Sequence, residues 1–195
     1  MPLGARGKDR DDSPGALGRG DAKQEGKLGA KAEDRTPDRY KMKEKIFDIG
    51  DDYWIETEKG RRAYKVDGKA LHLRNTLILE DPRGQALYEI QSKVIAVKDK
   101  MAVTNPRGAT QPSSNTLVSP LRDRMTANMA DGADIDIRGN LLNHEYTMER
   151  RGKRGAEVSK RWITLRDTYT IEVSPGEDDA LILALTVVVE QMCMD

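Results

Sequence analysis

Ala180-Leu-Ile-Leu-Ala-Leu-Thr-Val-Val-Val189, entered by Ser174-Pro-Gly-Glu-Asp-Asp179, decides the fold. Ser174 with Glu177 three residues on has the form of a capping box, and Pro175 sits where its fixed φ suits a first helical turn. Asp178 and Asp179 then place negative charge at the positive end of the helix dipole. The body that follows is apolar at every azimuth, so the rest of the chain must surround it on all sides. About ten apolar residues are half of the roughly twenty that a membrane-spanning helix needs. The expectation is a buried core helix.

The composition narrows the functional classes. The chain has 195 residues, with 33 basic side chains balancing 33 acidic ones for a net charge of zero. A general nucleic-acid binder carries a basic footprint, and this chain has none. Aromatic residues are 5% of the total, too few for platforms that stack single-stranded bases. Cys193 is the one cysteine, which excludes an intramolecular disulfide and a multi-cysteine zinc site. Met1-Pro-Leu-Gly-Ala-Arg6 lacks the apolar core of a signal peptide, so a reducing cytoplasm is the expected compartment.

Residues 1–40 are rich in Gly, Ala, Asp, Lys and Arg, with Leu3, Leu17 and Leu28 the only large aliphatics. Such a stretch buries too little apolar area to offset its ordering entropy, and it reads as a disordered tail ahead of a domain over 41–195.

Within that domain a repeat appears. Gly60, Gly84, Gly108 and Gly132 follow one another at steps of 24, Gly152 comes after 20 more, and Gly176 after a further 24. A second series, Asp51, Asn75, Asp99, Asp123, His144 and Asp167, runs out of phase with the first. Aliphatic residues stand two places before each member, from Ile49 to Leu165. Two phases held over six periods mark a true repeat. Between the turn signals the chain alternates: Tyr169, Ile171 and Val173 against Thr170 and Glu172, and Ile135 and Ile137 against Asp134, Asp136 and Arg138. Period two predicts strands with one wet and one buried face. The count is twelve strands and the helix. A meander of that length has exposed edges unless it closes, and a barrel of twelve strands needs a plug. The apolar helix has the right shape to fill it.

The residues that carry these elements resemble a known family. Lys41-Met-Lys-Glu-Lys-Ile-Phe-Asp-Ile-Gly-Asp-Asp-Tyr53, Tyr64-Lys-Val-Asp-Gly-Lys-Ala70, Pro120-Leu-Arg-Asp-Arg124, Gly139-Asn-Leu-Leu-Asn-His-Glu-Tyr146, Val158-Ser-Lys-Arg-Trp162 and Pro175-Gly-Glu-Asp-Asp-Ala-Leu-Ile-Leu183 resemble the LURP-one-related proteins. That group shares a superfamily with the tubby C-terminal domain and the phospholipid scramblases. The resemblance implies a closed twelve-stranded tubby-like β-barrel around a hydrophobic C-terminal helix, in agreement with the count. One stretch departs from it. Ala109-Thr-Gln-Pro-Ser-Ser-Asn-Thr116 stands where an apolar strand with basic residues is usual, and Pro112 cannot donate a ladder hydrogen bond. That strand is expected to be frayed, bulged or looped out.

Catalytic constellations are weak. His72 alternates with Leu71 and Leu73, which places it on an outer face, and His144 takes a turn position filled elsewhere by Asp or Asn. Nothing in the spacing brings them together with carboxylates as a metal site would require. Cys193 reads as a packing residue, and neither Asp51-Asp52 nor Asp178-Asp179 has the alternating oxygen ligands of a calcium loop. The reading is non-enzymatic, with no cofactor and no metal.

Basic residues carry the functional signal. The repeat puts equivalent turns at one end of the barrel, so Lys98, Lys100, Arg122, Arg124, Lys160, Arg161 and Arg166 are the candidates for a phosphate-binding rim. Tubby domains bind phosphoinositide headgroups at the barrel surface. The quoted motifs do not include their lipid-binding residues, so this expectation rests on fold analogy. Two partner classes follow: anionic phospholipid headgroups at the inner face of a membrane, or a soluble protein partner meeting a scaffold through the tail or through 109–116.

Overall fold

The computed structural model describes residues 36–43, 53–68, 76–93, 100–106, 114–121, 123–160 and 168–194. The chain is mostly β, an antiparallel sheet packed on a C-terminal helix. In order the strands are β1 (Asp38–Lys43), β2 (Tyr53–Thr57), β3 (Arg62–Asp67), β4 (Thr76–Glu80), β5 (Ala86–Lys93) and β6 (Lys100–Thr104). They continue with β7 (Ser114–Leu121), β8 (Arg124–Asn128), β9 (Ile135–Asn140), β10 (Glu145–Arg150), β11 (Lys153–Ser159) and β12 (Thr168–Val173). A 3-10 turn, Leu141–Asn143, lies between β9 and β10, and the helix α1 spans Asp179–Met194. Each strand pairs antiparallel with the next in the chain. In addition β1 pairs with β12 from Asp38↔Val173 to Lys43↔Thr168. On its other side β1 meets β2 at Tyr40↔Thr57 and Lys41↔Glu56.

Alternation sets which face packs on the helix. Met125 and Ala127 on β8, Ile135 and Ile137 on β9, Tyr146 and Met148 on β10 and Tyr169, Ile171 and Val173 on β12 are all buried. They meet α1, whose residues from Leu181 to Glu190 are buried without exception, so no side of its central turns faces solvent. No helix among the described residues is long and apolar enough to cross a membrane.

The turn repeat has a backbone cause. Gly60, Gly84, Gly132, Gly152 and Gly176 all take positive φ between 72° and 91°, closing the connections at one end of the sheet. Of the second series, His144 takes φ 54°, also left-handed. His72, Asp51 and Asp52, and the other members of that series apart from Asp123, lie outside the described residues.

Two expectations need correction. The helix does not begin at Ser174. Asp178 is its cap: its side chain accepts from the Leu181 N–H at 3.1 Å and its carbonyl from the Ile182 N–H at 3.0 Å. Gly176 at φ 91° turns the chain before the helix starts, so Ser174 and Pro175 belong to that turn, and the Ser174 hydroxyl donates instead to the Arg154 carbonyl at 3.0 Å. Second, Ser114–Thr116 is neither frayed nor looped out. These residues pair with β6 as Thr104↔Ser114, Val103↔Asn115 and Ala102↔Thr116. Pro112 falls before the ladder, and the register shift on the other side of β7 lies between Val118 and Leu121, across Pro120. Residues 109–113 lie outside the described residues. The first strand, β1, opens at Asp38, near the expected start of the domain, and residues 1–35 lie outside the described residues.

Tyrosines hold the start of the helix. The Tyr88 hydroxyl donates to Asp178 at 2.7 Å and the Tyr40 hydroxyl to Asp179 at 2.9 Å. Burial pushes the Asp179 carboxyl above its ordinary pKa, with Asp38 and Asp178 adding to the rise and the Tyr40 hydroxyl opposing it. The acidic pair therefore acts as helix cap and tyrosine acceptor.

Gly139 on β9 shows how closely the wall is packed. At φ 135°, a methyl group there would stand 2.5 Å from the Glu145 carbonyl oxygen and 2.8 Å from the Tyr146 Cα. Backbone atoms cannot step aside as a side chain tip can. Gly139→Ala is expected to cost about 3 kcal/mol, from the clash and the unfavourable φ together. Urea denaturation checks this, and a cost under about 0.5 kcal/mol, the range of an ordinary surface change, would contradict the close approach.

Candidate functional site

Arg124 opens β8 and Arg138 lies on β9, and the register sets them opposite each other, with Thr126 opposite Asp136. Their neighbours Met125 and Ile137 point to the core, which leaves these four side chains on the outer face. Arg138 Nη2 lies 2.8 Å from Asp136 Oδ2, and Arg124 Nη2 lies 3.4 Å from Oδ1. The Thr126 hydroxyl lies 3.2 Å from the same Oδ1. One carboxylate thus holds two guanidiniums, and the group keeps a surplus positive charge. The arginine side chains remain 52% and 48% exposed, so both are accessible from solvent.

Burial pushes the Asp136 carboxyl up, but the Thr126 hydroxyl and the two guanidiniums outweigh it and hold the pKa below the usual value. A depressed carboxylate pKa means the group's contribution is in place at neutral pH and is lost as pH falls through that lowered value. Like charges directly opposite in a sheet repel. Asp136 between them offsets that repulsion and fixes both planar forks, an arrangement that suits a phosphate oxygen pair.

The other rim candidates are distributed as follows. Lys100 opens β6, one strand removed from β8 and at the same end of the sheet. Lys160 follows β11, where its backbone N–H donates to Glu145 at 2.9 Å. Lys98, Arg122, Arg161 and Arg166 lie outside the described residues. Arg138 was not among the sequence candidates. Its own strand alternation places it on the outer face, but only the β8–β9 register shows that it stands beside Arg124.

Beneath this end of the sheet lies a buried polar cluster that the sequence did not announce. Glu190, 3% exposed, comes from the last turns of α1, and His144 Nδ1 approaches its Oε1 to 2.7 Å. The approach is close but poorly aligned, and neither atom has a well-directed hydrogen bond; the same holds for the buried hydroxyls of Tyr146 and Tyr169. The His144 ring also stacks on Tyr169, 4.5 Å between centroids and 3° from parallel. Burial and the nearby Glu190 raise both tyrosine pKa values well above normal, so the two phenols stay protonated. Burial and Glu190 likewise push the Cys193 thiol up, the opposite of what activates a thiolate nucleophile. Among the described residues no group of three or more His, Cys, Asp or Glu is placed to hold a metal ion.

The cluster positions the turn above it. The Asn143 N–H donates to the Asn140 side chain at 3.2 Å, and the left-handed His144 ends the 3-10 turn against α1. The Glu145 carboxylate accepts from Ser159 at 2.9 Å and from the Lys160 N–H, which ties the turn to the end of β11.

A family model described as LURP-one-related matches residues 39–190. No curated protein matches the chain. Among solved structures, an X-ray structure of a protein from Arabidopsis thaliana aligns with a TM-score of 0.61 at 16% identity. The alignment covers 80% of this chain and 91% of the other. At that identity the likeness bears on fold alone.

Proposed function

Because the chain belongs to the LURP-one-related family, we propose that it is a non-enzymatic, closed twelve-stranded tubby-like barrel that docks on anionic phospholipid headgroups. Pairing of β1 with both β2 and β12 supports the closure, and burial of α1 on all sides supports its place in the lumen. The observation that carries the lipid reading is the Arg124–Asp136–Arg138 group, two half-exposed guanidiniums pre-ordered by one carboxylate. Lys100 and Lys160 occupy the same end. On this reading the protein works at the cytoplasmic face of a membrane, held peripherally.

A cation close to an anionic surface contributes about 1 kcal/mol, so Arg124→Gln with Arg138→Gln should weaken vesicle binding by roughly 2 kcal/mol, about thirtyfold. Flotation with vesicles of two parts phosphatidylcholine to one part phosphatidylserine, at physiological salt, is the test. Binding should fall as salt rises, since exposed charges are screened beyond a Debye length of about 8 Å. If the parent protein does not float with these vesicles, or if the double variant floats equally well, the headgroup reading is wrong. Capture of a stable protein partner by that double variant would favour the scaffold role instead.

A further inference from the structure

Leu142 is the one large hydrophobic side chain exposed among the described residues, at 56%. It sits in the 3-10 turn between β9 and β10, four residues after Arg138, at the end of the sheet that carries Arg124. Its neighbour Leu141 is 1% exposed and anchors the turn in the core. The Asn140–Asn143 hydrogen bond, the left-handed His144 and the His144–Glu190 contact hold the backbone from below. An exposed leucine on a mobile loop would be unremarkable. Here the chain keeps it outward on a turn that is fastened at both ends, at the same end of the sheet as two cations that attract an anionic surface.

From this arrangement we propose that Leu142 is a membrane-inserting anchor, entering the acyl boundary of an anionic bilayer while Arg124 and Arg138 engage the headgroups. The inference rests on the headgroup reading and adds to it the docking orientation: the end of the barrel at the C-terminus of α1 faces the membrane. Apolar burial and electrostatic attraction combine at such interfaces, and each alone is marginal. The turn is already ordered, so little conformational freedom is lost when it enters.

The experiment uses the full chain with Cys193→Ser and Leu142→Cys, labelled with an environment-sensitive NBD fluorophore. A second variant carries the label at Arg151→Cys, an exposed tip between β10 and β11 at the opposite end of the sheet. The probe surface is the phosphatidylcholine and phosphatidylserine vesicle used for flotation. A blue shift with gain of intensity at 142, absent at 151, supports insertion. Leu142→Ser should then weaken vesicle partitioning about tenfold with the melting temperature unchanged. Vesicle binding with the label at 142 still in water, or Leu142→Ser binding as the parent does, overturns the anchor and leaves the headgroup reading standing. Absence of vesicle binding by the unlabelled parent overturns both.

Discussion

Leu183→Asp is expected to yield no folded protein. Leu183 is 0% exposed, and its neighbours along α1 from Leu181 to Val189 are equally enclosed. Among the described residues the core packed around it is apolar, so a carboxylate there gains no partner from it. The effective penalty for an unpaired buried ion is several kcal/mol even after relaxation. The cavity or strain left by replacing leucine adds to it. A domain of this kind has only about 5–15 kcal/mol of stability to lose. Circular dichroism and thermal melting of the purified variant provide the measurement. Leu142→Asp, the same change at an exposed leucine, should melt as the parent does, which separates burial from chemistry. A soluble Leu183→Asp protein with a cooperative melt near the parental temperature would show that α1 does not lie inside the sheet.

The second large effect is expected at His144. His144→Asn keeps a residue that tolerates the left-handed backbone, so the change removes the contact to Glu190 without imposing a new strain. Buried Glu190 then loses its 2.7 Å neighbour, at a cost of about 1–3 kcal/mol. Glu190→Leu in the same chain removes the acid that has lost its neighbour and should return most of that stability. Urea denaturation of the parent, both single variants and the double variant completes the cycle, with a coupling above about 1 kcal/mol expected for groups in contact. Simple additivity of the two changes, or an indifferent His144→Asn, would mean that the pair contributes nothing to holding the helix end.

These two tests divide along the line between what is local in the chain and what is not. The apolar run Ala180–Val189 was legible because a helix with no polar azimuth has only one soluble destination, the interior. The strands of β8, β9 and β12 were legible because alternation of apolar and polar residues is a property of neighbours in sequence. The turn glycines were legible because their spacing recurs. The start of the helix was misread by four residues, since Ser174 and Asp178 both have capping chemistry. Gly176 decided between them by taking φ 91°, a choice of backbone that the sequence permits without requiring. His144 looked like a turn residue and is one, but its turn also closes over a buried carboxylate.

Sequence by itself determined the elements and their faces: a buried C-terminal helix, an antiparallel sheet with one wet side, and connections set by a repeated turn. Tertiary structure alone decided that Arg124 stands opposite Arg138 across one aspartate and that Glu190 is enclosed against His144. The physical reason is range. Propensity and periodicity act between residues a few positions apart, whereas these groups meet through strand register and through the seating of the helix, which depend on the packing of the whole sheet.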